Sequence, residues 1–223
     1  VLNYYNNYLV NHLAELKVID DELYLETHRG VYTSQASTKW GNRMSEIRAE
    51  EAEKFSSIFK WMNGVYPIDE ITDIWVDVIT TNQMHDILPG SSVAEVYDGP
   101  DVDGGTDAQY AAAIADLEQY RDDALVNLAN NMDTTGTGTP FVVFNSLSFA
   151  RKGLVETSVT FGSTAQGVKV YDDGIEIPSQ VISTNGNTVD FIFIAENVPA
   201  VGGKVYHAVN TTAGTYSTGL TIG

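Results

Sequence analysis

Chemistry in this chain is concentrated in NQMHDILPGSS, residues 82–92. It sets an imidazole, His85, beside a carboxylate, Asp86. Such a pair can move a proton, orient a hydroxyl or hold a metal ion. His85 lies eleven residues after Ile74, which on a helix is a rotation of about 20° from it and so the inward face. Pro89 and Gly90 then stop the helix, so the ring is expected at the edge of the core and at least partly exposed. At a helix C-terminus the dipole favours a cation. Two readings stand. His85 is a core histidine donating to a carbonyl, with Asp86 solvated, or it is a metal ligand. One histidine is not a zinc site, since three or four ligands are needed. A second segment, THRGVYTSQ at 27–35, places Arg29, Tyr32 and Ser34 in a loop entering a long helix. It reads either as a domain junction or as a binding edge.

The elements that must position these residues change character near residue 135. Apolar residues at helical spacing run through Trp40, Met44, Ile47, Ala52, Phe55, Ile58, Phe59 and Met62, up to Asn63-Gly64. A second helix starts at an Asp69 cap and turns Ile71, Ile74, Trp75, Val78 and Ile79 inward. A third follows Asp107, with Ala111, Ile114, Leu117, Ala124, Leu125 and Leu128 on one face. Three one-faced helices pack most simply as a bundle. Ser92 and Glu95 fit a capping box. The acidic, Gly-rich run 98–107 lacks calcium-loop spacing and reads as a solvated loop. TTGTGTP at 134–140 is a linker. Beyond it, short Val-, Ile- and Phe-rich runs alternate with turn signals at DDG (172–174) and NGN (185–187). The expected class is α+β: a three-helix bundle, then an antiparallel sheet or half-sandwich.

Composition removes whole classes of function. Thirty acidic residues face twelve Lys and Arg, a net charge of −18. Nucleic acid and anionic membrane surfaces need the opposite sign. There is no cysteine, so a zinc ion would have only His, Asp and Glu to bind. No apolar run is long enough to span a bilayer. The expectation is a soluble, cytoplasmic chain that meets neither nucleic acid nor membrane.

Three stretches carry a family resemblance. NQMHDILPGSSVAEVY resembles the zinc-histidine motif of the family 38 glycoside hydrolases, the retaining α-mannosidases, in their bacterial and cytosolic-vacuolar branch; Met84 stands where Phe is usual. ELYLETHRGVYTSQASTKWGNRMSEIRAEEAEKFSSI resembles the opening of that family's helical middle domain. VVFNSLSFARKGLVE resembles the start of its C-terminal β region. The resemblance implies a zinc-dependent hydrolase acting on terminal α-D-mannosyl residues of oligosaccharides. It implies that His85 is one of four zinc ligands. The other three, a His-x-Asp pair and the nucleophilic aspartate, come from an N-terminal β/α catalytic domain. Asp86 would accept from a sugar hydroxyl, and Arg29, Tyr32 and Ser34 would line the junction facing the sugar.

That catalytic domain is what the chain does not match. His12, His28, His85 and His207 are followed two positions on by Ala14, Gly30, Ile87 and Val209, so no His-x-Asp pair exists. The resemblance therefore implies a fragment with no catalytic residue of its own. Residues 1–26 would be the tail of the missing catalytic domain, with Tyr24 and Glu26 alternating as in a strand. Residues 27–133 would be the middle domain, 134–140 the linker and 141–223 the start of the C-terminal β-sandwich. Such a chain would be inactive alone and hold zinc weakly or not at all. The competing expectation is a stand-alone, non-catalytic module that binds carbohydrate or protein.

Overall fold

The computed structural model describes residues 1–22, 26–99 and 104–211. The expectation for Tyr24 lies outside them. Glu26 opens a 3-10 turn, Glu26–Tyr32, rather than continuing a strand. Ahead of it, α1 (Leu2–Asn7) and a 3-10 stretch, Leu9–Glu15, bury no residue. The helical part comprises α2 (Ala36–Trp61), α3 (Ile68–Asp73), the short α4 (Ala94–Asp98) and α5 (Gly105–Ala129). The helix of α3 continues through a π segment, Ile74–Thr80. No helix among the described residues is long and apolar enough to cross a membrane.

Contacts along the helices fix their directions. Thr38 donates to Asp107, Arg48 pairs with Glu118 and Arg121 with Glu51, so α2 and α5 run parallel. Glu53 accepts from Trp75 and Asn42 from Gln83, so α3 runs against α2. Ala49, Ala52, Ile71, Ile79 and Leu117 form one core shared by all three. Burying each of the larger of these is worth about 1.5–3 kcal/mol.

The buried face of α2 is the expected one only in part: Ala52 and Phe55 are buried as read, with Ile58 and Phe59 packed beside Phe55. Trp40 is 62% exposed, and Ile47 and Met62 are also open to solvent. The buried residues of α2 are Thr38, Gly41, Asn42, Ser45, Ala49, Ala52, Phe55 and Ser56. A Cβ at Gly41 would meet the Tyr110 Cβ at 2.8 Å. Helices this close need small residues between them, and small residues carry little periodic hydrophobic signal. On α5, Tyr110 and Ala113 are buried while Ala111 is exposed. The α3 stripe holds as expected, with Ile71 and Ile79 buried and Ile74 and Trp75 packed against them. The expected helix starts shift. Pro67, not Asp69, precedes α3, and Gly104 (φ 82°) precedes α5. Ser92 caps nothing, and Val93 stands at the start of α4. α2 ends as expected, with Asn63 left-handed (φ 69°) and the Gly64 amide reaching the Phe59 carbonyl.

After α5 come β1 (Thr139–Asn145), β2 (Arg151–Thr160), β3 (Gly167–Asp172), β4 (Ile175–Ile177), β5 (Ser179–Asn185), β6 (Thr188–Val198) and β7 (Gly202–Thr211). They form two antiparallel sheets, β1-β7-β3-β4 and β2-β6-β5. Inward residues of both sheets, among them Val159, Val168, Phe191, Phe193 and Tyr206, share one core. The class is α+β. Asp173 and Gly174 make the β3–β4 turn at positive φ, the geometry a two-residue hairpin needs. β1 begins two residues before the expected boundary. Thr139 and Pro140 already pair with Ala208 and His207.

The segment before β1 is docked rather than loose. His207 Nε2 donates to the Thr134 carbonyl at 3.1 Å. Gly136 lies so close to the His207 ring that a Cβ would sit 2.3 Å from Nε2. The helices touch the sheets elsewhere too. Phe55 and Phe144 meet edge to face at 5.7 Å, and Ser146 donates to Glu51 at 3.2 Å.

Candidate functional site

The helix bearing His85 ends at Asn82, not at Pro89. Its π segment advances more slowly per residue than an α-helix, so the inward face lags behind the ideal count. Asn82 and Gln83 take the place expected for His85. Asn82 is 3% exposed and donates to Gln109 at 2.8 Å. Gln83 donates to Asn42 at 3.0 Å and Glu46 at 2.8 Å. Tyr110 joins them through Asn42, and burial, reinforced by Glu46, pushes its phenol well up. The His85 side chain is instead 85% exposed. The exposure expected for a ring at the core's edge is met and exceeded; what is corrected is its place on the inward stripe, since the ring faces solvent.

The loop beyond it is tightly made. His85 Nε2 lies 3.2 Å from Asp86 Oδ2. The Asp86 carbonyl accepts from the Ser91 amide, Ser91 Oγ, Ser92 Oγ and the Tyr97 hydroxyl at 2.8–3.2 Å. Tyr97 also donates to Ile87 at 3.0 Å and accepts from the Ser92 amide at 3.1 Å. Ser91 Oγ reaches the Asp86 carboxylate at 3.3 Å. The carboxylate is thus oriented by its own loop while its outer side stays open.

This loop and the 27–34 turn face each other across an open cleft of about 620 Å³. Thr27, Gly30, Val31 and Ser34 line one side and Asp86, Pro89, Gly90 and Ser91 the other. Of the expected residues, Ser34 and Asp86 come together here. Arg29 is exposed on the same turn, and Tyr32 donates to Glu22 at 3.3 Å. The side chain of His28 is not among those described. The two loops meet at Gly90. Its φ is +88°, and a Cβ there would stand 2.8 Å from Ser34 Oγ. Lys39 spans the junction from α2. Its ammonium donates to the carbonyls of Ser34, Leu88 (3.0 Å) and Pro89 (3.3 Å), and burial lowers its pKa. Lys39 and Tyr97 were not read as site residues from the sequence. The one available signal for Lys39 was its isolation as the only basic residue between Arg29 and Arg43.

Chemically the cleft offers the Asp86 carboxylate and the hydroxyls of Thr27, Ser34 and Ser91, and the His85 imidazole lies beside it, 3.2 Å from Asp86. Among the described residues no group of three His, Cys, Asp or Glu side chains is placed to hold a metal ion.

Residues 26–128 match the family described as the alpha mannosidase middle domain. Alpha-mannosidase G of Dictyostelium discoideum is 39% identical over 87 residues, 39% of this chain. An alpha-mannosidase of Saccharomyces cerevisiae is 41% identical over 86 residues, 37% of this chain. Each match spans 8% of the relative's own length. Among solved structures, an alpha-mannosidase from Enterococcus faecalis V583 aligns with 83% of this chain and 25% of its own, at a TM-score of 0.67 and 16% identity. At that identity the likeness speaks for the fold, and it extends across helices and sheets alike.

Proposed function

From the match of residues 26–128 to the alpha-mannosidase middle-domain family, we propose that this chain is the part of a zinc-dependent retaining α-mannosidase that presents one metal ligand and several sugar-facing groups to a catalytic β/α domain. The ligand is His85. The observation that carries this reading is the ring's position: 85% exposed, at a helix end, on a loop held by many hydrogen bonds. An imidazole on a well-bonded loop, turned away from its own core, is set to meet donors on another body. A neutral imidazole nitrogen is a donor that zinc takes readily. The described residues fit a single ligand rather than a whole site, so the remaining donors come from outside them. When bound, the zinc would hold vicinal hydroxyls of a terminal mannosyl residue.

The chain's own residues bind and orient. Asp86, oriented by Ser91 at 3.3 Å, accepts a hydrogen bond from a sugar hydroxyl. Ser34 offers a hydroxyl from the opposite wall, and Arg29 and Tyr32, exposed on the same turn, would meet the sugar at the domain junction. The substrate class is oligosaccharides with terminal α-mannose. Attack on the anomeric carbon and protonation of the leaving oxygen need two carboxyl groups about 5–5.5 Å apart, and these belong to the catalytic domain. The test is His85→Ala in the full-length enzyme, read by metal analysis and by hydrolysis of an aryl α-mannoside. Loss of both zinc and turnover with unchanged helicity is expected. Full zinc content and undiminished turnover in the variant would overturn the proposal.

A further inference from the structure

We infer that Lys39 is the positioning residue of the His85–Asp86 loop, locking it to the 27–34 turn so that both walls of the cleft keep one geometry. The inference rests on the proposed function for its consequence in turnover, though not for its geometry. The two walls are separated by more than fifty residues of chain, and each is tied chiefly to itself. Asp86, Ile87, Ser91, Ser92 and Tyr97 form one closed set of bonds. Ser34 is held within its own turn through its amide on the Gly30 carbonyl at 2.7 Å. The direct bond between the walls, Ser34 Oγ to the Gly90 carbonyl, is long at 3.4 Å. Lys39 supplies the firmer link.

An ammonium carries three N–H donors. Those of Lys39 meet three carbonyls, one from the first wall (Ser34) and two from the second (Leu88 and Pro89). Leu88 and Pro89 lie past the helix end, where carbonyls lack the amides that a continuing helix would supply. The anchor itself is rigid. Lys39 follows Thr38, which is fully buried and bonded to Thr106 and Asp107 on α5. The side chain therefore carries the position of the helix core out to both loops. A point-like ammonium suits three converging carbonyls, whereas the planar fork of Arg suits a carboxylate. Lys39 is not among the cleft's lining residues, so it acts through the loops and not on a ligand.

The test uses the full-length enzyme with Lys39→Met and, as a polar isostere less apt to disturb folding, Lys39→Gln. Lys39→Arg is the conservative control. Three readouts are taken: kcat and KM for an aryl α-mannoside, the rate of zinc loss to a chelator, and amide exchange at Gly90 and Ser91. The expected result for Met and Gln is kcat/KM lower by about 10–100-fold, the usual cost of losing outer-shell support. Zinc loss should quicken, and Gly90 and Ser91 should exchange at least about tenfold faster with α2–α5 core amides unchanged. Arg should recover part of each. If the wild-type enzyme has neither zinc nor mannosidase activity, the proposed function fails, and exchange at Gly90 and Ser91 alone decides the role of Lys39. Unchanged exchange in Met and Gln, or wild-type kinetics and zinc retention in an active enzyme, would overturn the inference.

Discussion

Replacing Gly90 by alanine tests the contact between the two loops. Gly90 has φ +88°, and a left-handed conformation costs a residue with a Cβ roughly 1–2 kcal/mol. The new Cβ would stand 2.8 Å from Ser34 Oγ, 3.0 Å from Ser34 Cβ and 3.1 Å from the Ser34 carbonyl carbon. The hydroxyl can rotate away, but the backbone carbon cannot move freely, because Lys39 holds the carbonyl attached to it. Overpacking against a fixed neighbour costs about 1–3 kcal/mol. Together these reach about 2–5 kcal/mol, and the cheaper escape is for the walls to separate. Amide exchange is therefore the assay. At the lower end, about 2 kcal/mol, the Ser91 amide should exchange about 30-fold faster, with no change in the α2–α5 core. Gly30 on the same cleft is the control. It has nothing within 4 Å of its Cβ position, so Gly30→Ala should leave exchange unchanged. Equal behaviour of the two variants would refute the close-approach argument.

Other expectations follow from charge and from the metal. Glu51 is 19% exposed and pairs with Arg48 at 2.9 Å and Arg121 at 3.3 Å. Glu51→Ala leaves two half-buried guanidiniums short of a partner, and urea melts should show a loss of about 1–3 kcal/mol. The hydrogen bond from Lys152, and then its charge, hold the Glu196 carboxyl below its ordinary 4.5. Its stabilising contribution is present above the ordinary value and disappears as pH falls through the lowered one. Carboxyl NMR should show the Glu196 midpoint rising in Lys152→Met. Titrated with zinc by calorimetry, the isolated chain should show no tight stoichiometric binding. Tight binding that is lost in His85→Ala would mean that the ligands are misassigned.

Legibility in the sequence followed signal strength. The β region was readable because alternating Val, Ile and Phe have to fill a core between two sheets, and because Asp173-Gly174 is strong turn chemistry. The α3 stripe was readable for the same reason. The α2 face was readable only in part, at Ala52 and Phe55, because Gly41, Ser45 and Ala49 are buried for their smallness, which a hydrophobic count passes over. The exposure of His85 was legible from Pro89 and Gly90 breaking the helix, but its place on the inward stripe was misread. Helical geometry was extrapolated through Ile74–Thr80, where the turn widens. Lys39 was hidden because its partners are main-chain carbonyls, which leave no mark in a side-chain pattern. Ser92 was read as a cap, but its hydroxyl is taken up by the Asp86 carbonyl, so a local rule yielded to a longer contact.

The widened turn at Ile74–Thr80 takes up one residue of chain without changing where His85 points. A π turn amounts to one residue more than an α-helix would use over the same rise. Thr80 and Thr81 mark it by donating back to Trp75 and Val76 five residues earlier. Removing a single codon within this stretch would return the helix to α spacing over nearly the same rise and rotation, so the residues after it would keep their direction. Ile71 and the core upstream would stay where they are, and Asn82 would keep its seat on Gln109. The widened turn thus absorbs one residue of chain, and a one-residue deletion there would leave the aim of the His85 loop intact, whereas a deletion after Thr81 would not.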